Sequence, residues 1–291
     1  GRTRAMLKVQ DGCRNFCSYC IIPYVRGSLR SMSIEDAVSE VRRIRDEGFR
    51  ELVLTGIEVA SYGLDLEGKP TLTDLVEAAA AEAGDMRLRL GSLEPTVITE
   101  DLCQRLAATG KLCRHFHLSL QSGCDRTLKA MNRKYDTAFF FDTTERLRRY
   151  FPGCALTGDL IAGFPGETED DHAETLDFLR RCAFSELHVF PYSRRPGTPA
   201  DKLPGQLTSA VKNRRAHEAK AVSNETGRAF RTAGVGEILS VLFETGDGNG
   251  SIGHSDTYLL VRVPEAGLHG QMRPVRILSA EEDRTLTGEL V

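Results

Sequence analysis

Alternating strand and helix patterns occupy most of the chain and limit the folds that it can adopt. Six short aliphatic segments are predicted strands, at residues 5–10, 51–55, 86–90, 115–120, 156–162 and 187–192. Helical patterns lie between them, at residues 33–48, 72–83, 99–108, 125–131, 137–150 and 169–181, with Ser33 and Thr99 as predicted N-caps. Six successive β–α units predict an α/β fold with a parallel sheet and helices outside it. Two architectures remain open, an open doubly wound sheet and a curved partial barrel.

Polar and glycine-rich runs follow the predicted strands. They lie at residues 55–58, 91–95, 121–123, 163–166 and 191–193. In both architectures the carboxyl ends of the strands meet at one edge or mouth, where α/β proteins place their chemistry. The sequence therefore predicts a single functional site formed by these runs.

Three closely spaced cysteines follow the first predicted strand. Cys13, Cys17 and Cys20 have the spacing C-x3-C-x2-C, and Tyr19 stands just before the last of them. Three thiolates on a short loop can bind three corners of a cuboidal iron–sulfur cluster. Because no fourth cysteine lies nearby, one iron would stay open to a ligand, as a cluster that binds and cleaves a substrate requires.

A structural zinc site and a disulfide are the other interpretations of these cysteines. Zinc takes four ligands, usually as two close pairs, and no His or Cys lies in about the next thirty residues. The remaining cysteines are predicted to be buried, reduced thiols rather than a disulfide framework: Cys103, Cys113, Cys124, Cys154 and Cys182. Reduced thiols and an iron–sulfur cluster both favour a cytoplasmic location.

The last part of the chain has a different pattern. Residues 206–230 predict one long helix, and strand-like segments follow at 237–243, 258–263 and 271–278, with glycine-rich turns such as residues 246–250. We therefore predict a first domain, residues 1–231, that ends in this linker helix, and a small all-β domain, residues 232–291. The formal net charge of −3 means that any RNA binding uses local basic patches. No apolar run has membrane-spanning length, so we expect no membrane partner.

Several motifs together resemble the methylthiotransferase branch of the radical S-adenosylmethionine (SAM) enzymes. They are the cysteine run at residues 10–27 and the segments 54–56, 117–124, 131–133, 159–168 and 195–199. The resemblance covers essentially the whole chain, and residues 232–291 resemble the TRAM domain, an RNA-binding barrel. It implies a partial (β/α)6 barrel, similar to a TIM barrel, followed by a small β-barrel.

The resemblance implies an enzyme that uses a [4Fe–4S] cluster and SAM. Cys13, Cys17 and Cys20 would hold the cluster, whose open iron chelates SAM and whose electron cleaves it to a 5′-deoxyadenosyl radical. The radical would take hydrogen from C2 of an adenine, and a methylthio group would be added there. The implied partners are tRNA, an external electron donor and a sulfur source, and no DNA partner is expected.

Members of this branch differ in substrate. One modifies isopentenyladenosine in tRNA, one an aspartate of a ribosomal protein, and one N6-threonylcarbamoyladenosine beside the anticodon of tRNA. Asp11, the run at residues 21–24 and Cys124 are most similar to the last, which predicts the product ms2t6A. A hypothesis from another class is a non-catalytic RNA-binding protein with a structural metal.

The chain lacks one part that the resemblance leads us to expect. Members of the branch carry an N-terminal domain with three cysteines that hold a second [4Fe–4S] cluster, which is linked to methylthio transfer. None of the scattered cysteines of this chain has a comparable spacing. We therefore expect the chain to be a fragment that holds the SAM cluster.

The resemblance also implies roles for further residues, each with a structural alternative. Glu58 would contact the SAM amino group or be a solvated acid, and Arg133 would pair with the SAM carboxylate or lie on the surface. The other predicted cofactor-binding residues, with packing, a turn or an exposed loop as the alternative, are Tyr19, Gly56, Glu94, Ser119, Gln121, Asp159, Gly163, Phe190 and Tyr192. His115 and His117 are predicted to be packed and hydrogen-bonded. The predicted contacts to tRNA phosphates, with a solvated basic face as the alternative, are Arg194, Arg195, Arg214 and Arg215.

Overall fold

The computed structural model describes residues 3–248 and 250–291. The strands of its first part are β1 (Arg4–Asp11), β2 (Arg30–Ser31), β3 (Glu51–Gly56), β4 (Arg87–Leu90), β5 (His115–Gln121), β6 (Ala155–Ala162) and β7 (Glu186–Pro191). The helices are α1 (Ile22–Arg26), α2 (Ile34–Asp46), α3 (Leu72–Glu82), α4 (Glu100–Ala108), α5 (Asp125–Ala130), α6 (Thr137–Tyr150), α7 (Glu169–Cys182) and α8 (Ser209–Ala233). All six predicted strands and the predicted helices are present, with bounds that differ by a few residues at most.

The six parallel strands follow one another in chain order. β1, β3 and β4 form one parallel set and β5, β6 and β7 another, while bridges at Leu88–Leu112 and Leu93–Leu118 join the two sets. A doubly wound sheet would reverse its strand order, whereas an order without reversal keeps every crossover helix on one face. The core is therefore a partial barrel, as the resemblance implied. Among the described residues no ladder pairs β7 with β1, so the barrel has a lateral gap between them.

Polar side chains start the helices where the sequence indicated. Ser33 and Thr99 accept hydrogen bonds from the backbone N–H groups of Asp36 and Leu102, which confirms both predicted N-caps. Such caps satisfy one of the free donors at a helix start and stabilise a helix by about 1 kcal/mol. The caps place each helix at the end of the polar run that follows a strand.

Five further strands form a closed barrel after α8. They are β8 (Ile238–Asp247), β9 (Gly250–Ser255), β10 (Leu260–Val263), β11 (Met272–Ala280) and β12 (Leu286–Leu290), paired in the order β10-β12-β11-β8-β9. The small β-barrel is thus confirmed. The predicted domain boundary after residue 231 falls within the last turn of α8 and stays a prediction. The predicted turn at residues 246–250 includes Asn249, which lies outside the described residues.

Two strands of this barrel were missed because glycine interrupts their apolar pattern. A Cβ on Gly253 of β9 would lie 2.0 Å from the carbonyl oxygen of Leu242, and one on Gly288 of β12 would lie 2.5 Å from Val275. The backbones approach so closely that only glycine fits at these two positions. These two strands therefore lack the alternation of apolar and polar side chains by which strands are predicted.

The β-barrel packs against the amino ends of the core strands through a buried ionic cluster. Glu51, 0% exposed at the start of β3, pairs with Arg87 at 2.6 Å and with Arg89 at 2.8 Å. Arg87 also donates to the carbonyl oxygens of Ser240 and His254 in the β-barrel. Burial alone would raise the pKa of Glu51, but the arginines lower it to about 2. The β-barrel therefore closes one end of the core and leaves the mouth at the carboxyl ends open.

Candidate active site

A tight turn after β1 positions the cysteine loop at the mouth. Gly12 has φ +77°, and a Cβ there would lie 2.0 Å from the carbonyl oxygen of Ser28. The Gln10 side chain donates to the carbonyl oxygens of Asp11 and Gly12, and its own oxygen accepts from the backbone N–H of Glu58 at 2.8 Å. Gln10 thus connects the cysteine loop to the loop after β3.

The turn after α5 holds the other side of the cysteine loop. Ser18 donates its backbone N–H to Met131 O at 3.0 Å and its hydroxyl to Ala130 O at 2.8 Å. The side-chain amide of Asn132 donates to Phe16 O at 2.9 Å. Phe16 and Asn132 both have positive φ, so these contacts stabilise a backbone shape that non-glycine residues rarely adopt. The sequence signal for this turn is the motif at residues 131–133, for which the resemblance gave no structural role.

The three thiols do not form a compact site for a single metal ion. Four thiolates around one zinc, with Zn–S bonds of about 2.3 Å, would place the sulfurs about 3.8 Å apart. Among the described residues, groups with at least three metal-binding atoms all within 4.8 Å of one another occur at two places, and the three cysteines are not one of them. All eight cysteines are free, and the five scattered ones are buried as predicted. Cys13, Cys17 and Cys20 therefore lack the close spacing of a single-ion site, whereas a cuboidal cluster binds its thiolates at separate corners.

Burial disfavours the thiolate form of two of the three cysteines. Burial, together with the nearby Glu58 carboxylate and the other two thiols, raises the pKa of the Cys13 thiol to about 11. Burial also raises the pKa of Cys20. Ligation requires thiolates, so the positive charge of bound iron has to supply the stabilisation that the loop lacks.

Arg133 lies against the cysteine loop inside the mouth. Its guanidinium donates to the Sγ of Cys17 at 3.1 Å and to the Tyr19 hydroxyl at 3.4 Å. It also forms an ion pair with Glu94 at 2.5 Å, and both side chains are buried. The surface alternative for Arg133 is therefore wrong. Tyr135, which the sequence analysis missed, accepts a hydrogen bond from Arg133 at 3.0 Å and packs its ring 5.0 Å from the guanidinium carbon.

Two carboxylates and one guanidinium thus surround the thiols. Burial raises the pKa of Glu94, the Glu58 charge adds to this, and Arg133 opposes it. Glu58 accepts a hydrogen bond from the Ser61 hydroxyl, which orients its carboxylate. An amino acid group carries one ammonium and one carboxylate, which can pair with one of the two acids and with the guanidinium. The site therefore fits the amino acid part of SAM beside the open corner of a cluster.

A cavity of about 390 Å³ opens beside Tyr19 of the cysteine loop. Its lining includes most of the aromatic and polar residues that were predicted to contact the cofactor: Tyr19, Gln121, Asp159, Phe190 and Tyr192. A bulge in β5 turns Gln121 into this cavity with φ +68°. Ser119 lies nearby and its hydroxyl is 3.1 Å from that of Ser92. The structure thus brings together residues from β5, β6, β7 and the cysteine loop.

Packing explains both predicted cofactor-binding glycines. A Cβ on Gly56 would lie 2.7 Å from Gln10 O, and one on Gly163 would lie 2.5 Å from the side chain of Lys212. The backbone N–H of Gly163 donates to the Glu167 carboxylate at 3.1 Å. Both positions therefore need glycine for a close approach between elements, and their contact with the cofactor stays a prediction.

A polar cluster lies inside the barrel behind the cavity. His117 Nε2 is 3.1 Å from one oxygen of Asp159, and His188 Nδ1 is 3.5 Å from the other. His115 and His117 both bond to the Thr157 hydroxyl, at 3.1 and 2.9 Å, so these histidines are hydrogen-bonded as predicted. The sequence analysis missed His188 because a single histidine in a strand carries no distinguishing pattern.

The four arginines predicted to contact RNA have different environments. Arg195 is exposed and lines the cavity, and Arg194 is exposed but paired with Asp201 at 2.9 Å. Arg214 is half-exposed and paired with Glu169. Arg215 is only 2% exposed and is bound by the Glu167 and Glu169 carboxylates. The prediction of a phosphate contact is therefore wrong for Arg215, because its guanidinium stabilises the packing of α8 instead.

The β-barrel carries little of the charge that RNA binding uses. Residues 232–291 contain four arginines and no lysine, against nine Asp and Glu residues. Binding to the phosphate backbone depends on neutralisation by Lys and Arg. Arg273, Arg276 and Arg284 of the β-barrel are exposed, and further exposed basic residues lie on the cysteine loop and around the mouth: Arg14, Arg26, Lys134, Arg194 and Arg195.

Comparisons with known proteins agree with the fold and the site. The radical SAM superfamily model matches residues 7–179. The coproporphyrinogen III oxidase of Escherichia coli, a radical SAM enzyme, has a TM-score of 0.57 at 16% identity and covers 90% of this chain and 66% of its own. A radical SAM methyltransferase from Kitasatospora setae has a TM-score of 0.56 at 19% identity, over 67% of this chain and 38% of its own. At these identities the similarity shows the fold alone, which is that of a radical SAM protein.

Curated relatives identify the family within the radical SAM superfamily. The threonylcarbamoyladenosine tRNA methylthiotransferase of Bacillus subtilis is 39% identical over 96% of this chain and 63% of its own length. The protein of that name from Chlamydia pneumoniae is 37% identical over 100% of this chain and 69% of its own length. A tRNA-2-methylthio-N6-dimethylallyladenosine synthase from Carboxydothermus hydrogenoformans is 36% identical over 99% of this chain and 62% of its own length. The chain belongs to the tRNA methylthiotransferase family of the radical SAM superfamily.

The relatives are longer than this chain, which spans 62–69% of their length. None of the described helices is both long enough and apolar enough to cross a bilayer.

Proposed function

We propose that this chain is the SAM-cleaving part of a tRNA methylthiotransferase that acts on N6-threonylcarbamoyladenosine next to the anticodon. The observation that carries the proposal is the arrangement of three thiols with Glu58, Glu94 and Arg133 at the mouth. A [4Fe–4S] cluster with one open iron would supply the electron that cleaves SAM to a radical able to take hydrogen from an unactivated carbon.

The residues of the chain bind and orient SAM in this proposal. Cys13, Cys17 and Cys20 hold the cluster, Glu58 binds the SAM ammonium, and Arg133 binds its carboxylate. Arg133 is paired with Glu94 in the structure, so the SAM carboxylate has to share the guanidinium with that acid. Phe190 and Tyr192 of the cavity would pack beside the adenine of SAM, and Tyr19 and Gln121 line the same cavity.

The names of the relatives and the basic rim support tRNA as the substrate. The Bacillus subtilis and Chlamydia pneumoniae relatives are named for threonylcarbamoyladenosine, and others for dimethylallyladenosine. We place the RNA contacts at the mouth, where Arg195 lines the cavity, rather than on the acidic β-barrel. The sulfur source, a second [4Fe–4S] cluster in a preceding domain, an external electron donor and a reducing cytoplasmic setting belong to the same proposal.

Anaerobic reconstitution with iron and sulfide, followed by SAM and dithionite, tests the proposal. We expect about four irons with matching sulfide for each chain, and formation of 5′-deoxyadenosine. The Cys17→Ala variant should lose both, whereas Cys103→Ala, at a buried cysteine on α4, should retain both. One zinc for each chain without sulfide would instead favour an RNA-binding protein with a structural metal. Cluster-dependent cleavage of SAM without methylthiolation of tRNA by the full-length protein would favour another substrate, such as a ribosomal protein.

A further inference from the structure

The cluster of His117, Asp159 and His188 has donors and acceptors that the proposed SAM contacts do not use. Asp159 lines the cavity beside Tyr19; His117 Nε2 is hydrogen-bonded to one of its oxygens at 3.1 Å, and His188 Nδ1 lies 3.5 Å from the other. The Thr157 hydroxyl bonds to His117 Nδ1 and leaves Nε2 directed at Asp159. The two imidazole rings lie 5.3 Å apart. The cluster is therefore a fixed polar surface inside the barrel, next to the space where the cofactor is proposed to bind.

The lateral gap of the barrel leads to this surface. On β7, Leu187 is buried, whereas His188 and Phe190 point to the opposite face and are 55% and 51% exposed. On β1, across the gap, Met6 is 71% exposed and Lys8 is also exposed. Side chains that point into a closed barrel are normally buried against one another. Among the described residues these positions are exposed, so the interior is accessible from the gap and the mouth.

The chemistry of this surface selects the kind of group that can enter. A carboxylate accepts hydrogen bonds from hydroxyl and N–H groups, and imidazole N–H groups donate to carbonyl and carboxylate oxygens. A urea linked to a hydroxy amino acid offers all of these partners. A branched hydrocarbon offers none, and it would remove water from Asp159 and the imidazoles without replacing its hydrogen bonds.

We propose that His117, Asp159 and His188 bind the N6 substituent of the target adenine and select a polar, urea-linked hydroxy amino acid over a dimethylallyl group. This inference rests on the proposed function, because it assigns a part of the same site to the RNA substrate. Asp159 accepts from the urea N–H or the hydroxyl, and His188, the more exposed imidazole, donates to an oxygen of the substituent. The three residues thus determine which modified adenine the enzyme accepts.

Binding of short RNAs to the full-length, cluster-loaded protein tests this subsite. Three anticodon stem-loops are compared that differ only in the adenine next to the anticodon, which carries no substituent, a threonylcarbamoyl group or a dimethylallyl group. We expect the wild-type protein to bind the threonylcarbamoyl RNA about tenfold or more tightly than the other two, because one or two hydrogen bonds are gained. In His188→Ala and Asp159→Asn this ratio should fall towards one. His217→Ala, an exposed histidine on α8, should keep it.

Each result supports or overturns the inference. A preference that persists in both variants, or a wild-type preference for the dimethylallyl RNA, overturns the subsite and leaves tRNA methylthiolation intact. Failure of the wild-type protein to bind any of the three RNAs overturns the RNA substrate itself and the subsite with it. Because His188 is exposed, the His188→Ala variant is expected to fold. If Asp159→Asn is unstable, the His188→Ala variant still tests whether the contact to the substituent is lost in a folded protein.

Discussion

Replacement of Glu51 by glutamine should destabilise the protein strongly while it leaves the shape of the side chain unchanged. Glu51 is fully buried and contacts three guanidinium groups, of Arg4, Arg87 and Arg89. Removal of one partner from a buried ionic cluster costs about 3–5 kcal/mol, because the remaining charges stay buried without compensation. The cluster joins the partial barrel to the β-barrel, so the loss should loosen both.

The lowered pKa of Glu51 gives a second value for the free energy that this carboxylate contributes to stability. The arginines outweigh burial and lower this pKa from 4.5 to about 2. At about 1.4 kcal/mol for each pH unit, the ionised carboxylate contributes about 3 kcal/mol at neutral pH. Because the pKa is lower in the folded state, this stabilisation is complete above about pH 4.5 and is lost as the pH falls towards 2.

Thermal and urea unfolding of the Glu51→Gln variant measure the loss of stability and its pH dependence. We expect the free energy of unfolding at pH 7 to fall by about 3 kcal/mol and the midpoint temperature by roughly 6–12 °C. The difference from wild type should shrink between pH 4.5 and pH 2. Glu40→Gln, an exposed acid paired with an exposed arginine, should leave the midpoint unchanged within error. A variant as stable as wild type, or a difference that stays constant down to pH 2, would refute the reasoning.

Three further perturbations test individual contacts. Arg133→Lys should weaken SAM binding by about tenfold or more in an anaerobic titration, since an ammonium cannot form the planar two-bond pair, and an unchanged affinity would contradict the assignment. Gly12→Ala should prevent cluster loading, measured as iron for each chain, because its Cβ would lie 2.0 Å from a backbone oxygen; normal loading would show that the turn can relax. Arg215→Ala should lower the free energy of unfolding by about 3–5 kcal/mol, since it leaves the buried Glu167 unpaired, whereas Arg195→Ala should change RNA affinity and not stability. Equal stability of these two variants would show that the buried pair contributes little.

The sequence predicted those parts of the molecule that local patterns encode. Aliphatic runs located the six core strands, Ser33 and Thr99 marked helix starts, and the cysteine spacing identified the cysteine loop as the candidate metal-binding segment. Contacts between distant segments were not predictable in this way. Glu51 looked like an ordinary strand residue until Arg87 and Arg89 were placed beside it by the fold.

The residues of the candidate site likewise divide into those with a local sequence signal and those whose role depends on contacts between distant segments. Arg133 was assigned through its motif, but its burial and its bond to Cys17 depend on the turn after α5. Tyr135 and His188 carry no local signal, and only the fold brings them to the mouth and the barrel interior. Arg215 was misassigned because adjacent arginines on a helix look alike in sequence although one faces solvent and the other faces Glu167.

The turn after α5 connects the cysteine loop to the arginine that is proposed to hold SAM. Residues 130–132 bind the cysteine loop, and Arg133, the next residue, carries the guanidinium proposed to hold SAM. Loss of order in the loop would remove the contacts of this arginine to Cys17 and Tyr19, whereas Glu94, Tyr135 and the Ser119 carbonyl oxygen would still hold it. The anchor proposed for the SAM carboxylate would therefore persist through a loss of order in the loop, and a loop that folds again would find its partner already in place.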